Sequence, residues 1–180
     1  MSVYQKFLQI GSKFFSKNQL LKYGFNLSPM YRRSTAKIID ISVDLLRITI
    51  KLPISWKNKN YVNSIFGGSM FAAVDPIPMV QLMNLIGDDY VVWDKSAEIK
   101  FKRPAKEHLY AEFNFSIKEL EEIKAKVAQH KECEFLKTTQ LTNIDKSQVF
   151  CEVHKTIYVA DKEFYKEKRK KAKMKKAKLN

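Results

Sequence analysis

NYVNSIFGGSMFAAVDP, residues 60–76, decides how the rest of the chain is read. From Gly68 an apolar run continues to about Ile86, too long for a strand, so it predicts a helix, with Gly87 as its stop. The run is apolar nearly all round and is expected to be buried on most sides. Two features oppose a helix made only for packing. Gly67 and Gly68 stand at its start, although glycine is among the poorest helix formers. Asp75 follows two turns later, although a carboxylate is costly to bury.

Upstream the pattern has a period of two. Leu46, Ile48, Ile50 and Leu52 alternate with Arg47, Thr49 and Lys51, after a shorter run AKIIDI at residues 36–41, which predicts a hairpin with one buried face. Downstream, Val91, Trp93, Ala97, Ile99 and Phe101 are expected to share one face of a strand. Leu109, Ala111, Phe113, Phe115 and Ile117 line another, with residues 102–108 as the turn. KELEEIKAKVAQHKE, residues 118–132, reads as a short exposed helix. Strands at about 133–142 and 149–159 follow, joined by NIDKSQ. Before all this, residues 3–23 carry Val3, Tyr4, Phe7, Leu8, Phe14, Phe15, Leu20 and Leu21 at roughly helical spacing, interrupted at Gly11. One or two short amphipathic helices fit, covering the body or docking on a membrane surface, and Pro29 ends them.

Strand, strand, long apolar helix, four strands: a domain this small buries such a helix by curling an antiparallel sheet around it. The expectation is an α+β fold, five to six antiparallel strands around one long buried helix. Residues 1–29 form a helical segment on the body, residues 30–161 the domain itself and residues 162–180 a basic tail.

Composition agrees with one soluble folded unit: 180 residues, 45% hydrophobic and 29% charged. No run reaches the roughly eighteen consecutive apolar residues of a bilayer span, and the N-terminus lacks an apolar leader core, so the cytoplasm is the expected compartment. Residues 162–180 hold ten Lys/Arg against two Glu, a net of +8, which leaves +6 of the chain's +14 for residues 1–161. The tail reads as a solvated helical or frayed extension, or as an anchor for nucleic acid or acidic lipid. Cys133 and Cys151 fall on expected neighbouring strands, where buried thiols are the ordinary outcome and a disulfide the alternative. His108, His130 and His154 are scattered without metal-ligand spacing.

The element order together with NYVNSIFGGSMFAAVD resembles the hotdog-fold thioesterase superfamily, in particular its phenylacetate-pathway-like acyl-coenzyme A thioesterases, over roughly residues 30–160. That branch carries an Asn, a His-Gly-Gly six residues on, and an Asp nine residues after the His. Here these positions are Asn60, Gly67 with Gly68, and Asp75, while Phe66 replaces the His. FKRPAKEHLYAEF, residues 101–113, also looks like the family's turn between its third and fourth strands. The fuller wording resembles a hotdog subfamily of unassigned function.

The residues themselves support a chemical reading of this resemblance. At a helix start the Gly67 and Gly68 N–H groups lack intrahelical partners and share the positive end of the dipole, so they can polarise a carbonyl oxygen that a side chain would keep away; a tight loop-to-helix turn is the plain alternative. Asp75 lies seven positions after Gly68, nearly on the same face but about 10 Å further along the axis. A carboxylate and an oxyanion site serving one carbonyl must each come within about 3 Å of it. One subunit is therefore expected to be too short of reach, and the site is expected at a homodimer interface, Gly68 of one copy facing Asp75 of the other, as the resemblance also implies. Pro76 and Pro78 remove the N–H partners of the Ala72 and Val74 carbonyls and should kink the helix just after Asp75.

Under this reading Gly68, with Gly67, polarises a thioester, Asp75 is nucleophile or general base, and Asn60 holds water or the carboxylate. Phe66 lines the pocket, Asp94 is a further polar candidate, and Lys102, Arg103 and Lys106 meet coenzyme A phosphates. No cofactor is implied beyond coenzyme A as part of the substrate, and no metal. The expected partner is an acyl-coenzyme A or acyl-carrier thioester, in a homodimer or tetramer. Two rivals stand beside hydrolysis: a non-catalytic domain that binds such a ligand, and a scaffold whose tail binds nucleic acid or membrane.

Overall fold

The computed structural model describes residues 15–177, so the helical turns expected before Phe15 lie outside the described residues. In chain order the elements are α1 (Lys17–Leu27), α2 (Pro29–Arg32), β1 (Lys37–Ile41), β2 (Arg47–Leu52), α3 (Gly67–Val74), α4 (Pro76–Ile86), β3 (Tyr90–Phe101), β4 (Leu109–Asn114), α5 (Ile117–His130), β5 (Glu132–Thr142), β6 (Val149–Asp161) and α6 (Lys162–Ala177). The six strands form one antiparallel sheet in the order β1-β2-β4-β5-β6-β3. It curls around α3 and α4. Ile48, Ile50 and Leu52 of β2, Leu109, Ala111 and Phe113 of β4, and Val153 of β6 pack on Met70, Ala73, Val74 and Ile77. Leu82 and Ile86 belong to a second cluster with Phe115, Ile157, Val159 and α5. This is the hotdog fold that the resemblance implies.

The central helix is buried or half-buried over most of its surface, with Gly68, Ala72 and Met83, 48% exposed, as its open positions beside Phe66, 57% exposed at its N-cap. Being apolar all round, the helix fills a core on one side and offers an uncovered apolar stripe on the other. The Gly67–Ile86 stretch is long and apolar enough by composition to cross a bilayer, but here it is the core helix of the sheet. At Asp75, where the prolines are expected to act, φ of −51° and ψ of −53° are helical. What the two prolines break is the hydrogen-bond ladder, dividing α3 from α4.

β3 does not keep one face. Its register with β6 shifts between Asp94 and Ser96, a bulge at Lys95. Val92 and Asp94 lie opposite the inward Val159 and Ile157, and beyond the bulge Ala97 and Ile99 lie opposite Lys155 and Val153. Trp93, expected inside, is exposed. An extra residue in one strand reverses side-chain parity, and nothing in an alternating pattern marks where. Ile117 belongs to no strand. It opens α5, whose N-cap Ser116 Oγ accepts from Glu119 N at 3.1 Å and which ends at Lys131 with φ of 67°. That helix is half-buried rather than exposed, because Leu120, Ile123 and Val127 form an apolar stripe among its charges.

The two sheet edges are treated differently. Along β1, Asn26 accepts from Ile38 N at 2.8 Å and donates to Ile38 O at 2.9 Å, Asn18 donates to Ile41 O at 3.2 Å, and Lys22 to Ile39 O at 2.6 Å. Buried Leu20 and Leu21 hold α1 in place. The other edge, the 12-residue β3, pairs with β6 on one side and has no such cover among the described residues. Cys133 and Cys151 are free thiols on neighbouring strands, opposite Val159 and Leu141 respectively. Burial pushes the Cys151 thiol up to about 11. Residues 162–177 of the basic tail are helical: Phe164 and Tyr165 are partly covered, and Lys168 pairs with Glu132 at 2.5 Å, whereas Lys170, Lys171, Lys173 and Lys175 lie exposed.

Candidate functional site

The start of α3 is fixed by the loop before it. Buried Asn58 accepts from Ser55 N at 2.8 Å and donates to Pro53 O and Thr35 Oγ1 at 2.8 and 2.7 Å. Phe66 N then donates to Asn58 O and Ile65 N to Ala105 O, both at 2.8 Å. These bonds place the first helical turn next to the 102–108 turn. Ser69 N and Met70 N bond back to Phe66 O, at 2.9 and 3.2 Å, while the Gly67 and Gly68 N–H groups have no partner among the described residues. Two unpaired amides at a dipole's positive end can receive an anionic or carbonyl oxygen.

Both glycines are also explained by aromatic neighbours. A Cβ on Gly67 would stand 2.7 Å from Phe101 Cζ, and one on Gly68 2.3 Å from Phe66 Cε1. The Phe66 ring therefore lies against Gly68, at the position where the resembling family has a histidine. Asn60 closes its own turn: Oδ1 accepts from Val62 N at 3.1 Å and Ser64 N at 3.0 Å, and Nδ2 donates to Ser64 Oγ at 2.9 Å. Its carboxamide is thus engaged within the loop.

Asp75 sits between α3 and α4 with its side chain 45% exposed. Facing it is a residue that the motif did not point to. Lys155 of β6 is only 2% exposed, and its Nζ donates to Asp75 Oδ1 at 2.8 Å, to Asp75 O at 2.5 Å and to Asp94 Oδ2 at 2.6 Å. A buried ammonium is tolerated only when paired and hydrogen-bonded, and here all three of its N–H groups are used. The bulge at Lys95 is what delivers Asp94, since it turns that residue to the inward face. Burial raises the Asp94 carboxyl above its usual range, Lys155 opposes this, and the Asp75 charge adds to it. Asp94 Oδ1 is buried without a hydrogen-bond partner.

The sequence did carry a signal for Lys155. It falls in phase with Cys151, Val153, Ile157 and Val159, all buried, so an inward lysine was legible, and an inward lysine requires a carboxylate. Lys102, Arg103 and Lys106 are exposed on the turn that Ala105 ties to Ile65. Lys102 N bonds to Phe150 O at 2.8 Å. The structure thus brings the basic turn next to the glycine tip, and joins Asp75 to Asp94 through Lys155, one α3 length away.

Solved structures of similar shape share this fold. A Pseudomonas aeruginosa protein of unknown function, described as a probable thioesterase, superposes with a TM-score of 0.70 at 17% identity, over 79% of this chain and 95% of its own. A thioesterase from Haemophilus influenzae gives 0.59 at 12% identity, over 83% and 94%. A variant of a Staphylococcus aureus thioesterase gives 0.53 at 12%, over 74% and 99%. No curated protein matches the sequence. The family model described as domain of unknown function (DUF4442) matches residues 17–159, which span the whole sheet except the last two residues of β6. The match covers well over half of its length, and the chain belongs to the DUF4442 family.

Proposed function

We propose that the protein is an acyl-coenzyme A thioesterase-like hydrolase working as a homodimer, with each site shared between two copies. The observation that carries this reading is the uncovered stripe of the core helix at Gly68 and Ala72, with Gly67 beside Phe101 of β3, an edge strand without cover among the described residues, and the Asp75 side chain 45% exposed. A second copy, packed antiparallel there, covers the stripe and brings the Asp75 of one helix toward the Gly68 amides of the other. Water attacks the thioester carbon and gives its proton to the Asp75 carboxylate. The Gly68 and Gly67 N–H groups receive the developing oxyanion. The C–S bond then breaks, and the thiolate takes up the proton as the free thiol leaves with the carboxylic acid. Lys102, Arg103 and Lys106 supply cations for the coenzyme A phosphates, or for an acidic carrier domain presenting the same thioester. Thioesterases among the similar structures support the class of chemistry by analogy of fold.

One observation favours a second reading, binding without turnover. The Phe66 ring lies against Gly68, where a thioester oxygen must approach, and it offers no polar group in place of the family histidine. Thiol release from a panel of acyl-coenzyme A esters, with Asp75→Ala as control, separates the two. Hydrolysis lost in the variant supports the enzyme. A native protein that binds the esters without cleaving them supports the second reading.

A further inference from the structure

Lys155 is the most completely buried charge near the site, and the glycine-aspartate chemistry does not require it. Its three donors end on two carboxylates and one main-chain oxygen, all from the elements that build the site: Asp75 from the junction of α3 and α4, Asp94 from β3. The next inward charge belongs to β5. Lys137 lies opposite Lys155 in the register, but its Nζ is held by both oxygens of Glu119, at 2.7 and 2.8 Å, and lies 3.9 Å from the Phe115 ring centroid. The two lysines therefore serve separate carboxylates, and Lys155 is the ammonium that Asp75 and Asp94 have in common.

This geometry does more than neutralise charge. Asp75 is gripped twice by one nitrogen, through Oδ1 and through its own carbonyl, which fixes the carboxylate plane relative to the helix. Oδ2 is left as the oxygen free to meet a proton. We propose that Lys155 is a positioning residue for the site: it orients the Asp75 carboxylate, presents Oδ2 to the reacting water, and binds Asp94 into the same charge-sharing unit. The part concerning water rests on the hydrolase reading above, whereas the coupling of the two aspartates through Lys155 does not.

The test is built to separate the two. Native protein, Lys155→Met, Lys155→Arg and Asp75→Asn are compared in acyl-coenzyme A hydrolysis and in carboxyl 13C NMR titration of Asp94. The expectation for Lys155→Met is a fall in kcat of about a hundredfold, the usual consequence of misplacing a reacting group, with KM little changed. Lys155→Arg recovers part of it, because a cation able to donate to both carboxylates is restored. In the titration, Lys155→Met moves the Asp94 midpoint upward, since the group that lowers it is gone, and Asp75→Asn moves it downward. An Asp94 midpoint unmoved by Lys155→Met in a folded protein overturns the proposal, whatever the activity. So does a Lys155→Met enzyme with native kcat. If native protein hydrolyses no ester, the hydrolase reading fails and the titration alone decides the coupling. Should Lys155→Met not fold, Lys155→Arg and Asp75→Asn carry the same test: an Asp94 midpoint indifferent to both overturns it.

Discussion

Phe66 and Gly68 are matched to each other: the Phe66 ring occupies the space of the Cβ that Gly68 lacks, with Cε1 at 2.3 Å from that position. The ring is the far end of a flexible, exposed side chain, so a methyl group can displace it cheaply. Gly68→Ala is therefore expected to change stability by no more than about 1 kcal/mol, helix propensity offsetting the displaced ring. Thiol release should nevertheless fall, because the new methyl group guards the amide. Phe66→Ala has the opposite sign. If moving the ring aside costs about 1 kcal/mol, removing it raises kcat/KM roughly fivefold.

Asp75→Asn keeps the shape of the side chain and its contact with Lys155 but removes the base. Thiol release is expected to drop by about 10² to 10⁴-fold, with binding of a non-hydrolysable thioether analogue largely retained. A variant as active as the native chain would remove Asp75 from the chemistry.

Ala72 lies open on the helix stripe that the second copy is proposed to cover. Ala72→Glu places like charges on both sides of that contact and should convert dimer to monomer by light scattering, while the single-chain fold, measured by circular dichroism, persists. Hydrolysis should vanish with the dimer, since one copy holds Gly68 and Asp75 about 10 Å apart along the axis.

Asp94 has its carboxyl raised by burial, so its contribution to stability has a defined sign. It is fully present below the ordinary value of 3.8 and is lost as pH rises through the higher folded value. Asp94→Asn cannot take up this proton. In chemical denaturation, the stability difference between native protein and Asp94→Asn should shift in favour of the native chain as pH falls toward 3.8. A constant difference across that window would show that Asp94 is not desolvated.

Lys102→Ala with Arg103→Ala should raise KM for acyl-coenzyme A about tenfold and leave kcat alone, with an effect that shrinks as salt is added. The same pair acting on an ester of a short uncharged thiol should show no change.

The fold was legible because its elements are strongly periodic. Ile48, Ile50 and Leu52 alternate cleanly, and the run after Gly68 is too long for a strand. What escaped the sequence was local parity and shared burial. The bulge at Lys95 sends Trp93 outward and Asp94 inward against the simple alternation, and no residue near it marks the reversal. Gly67, Gly68 and Asp75 could be picked out because each is a poor fit for a packing helix. Lys155 was missed for another reason: its phase with the apolar residues of β6 marks it as inward, but its meaning emerges only when Asp75 and Asp94 arrive from two other elements.

The side chains of Asn18, Lys22 and Asn26 seal one rim of the sheet, and among the described residues the β3 rim is bare. Any association through β3 uses up the open rim of both copies at once and leaves sealed rims facing outward. Growth along the hydrogen-bonding direction therefore ends at two molecules, which gives this chain a built-in terminator against filament formation.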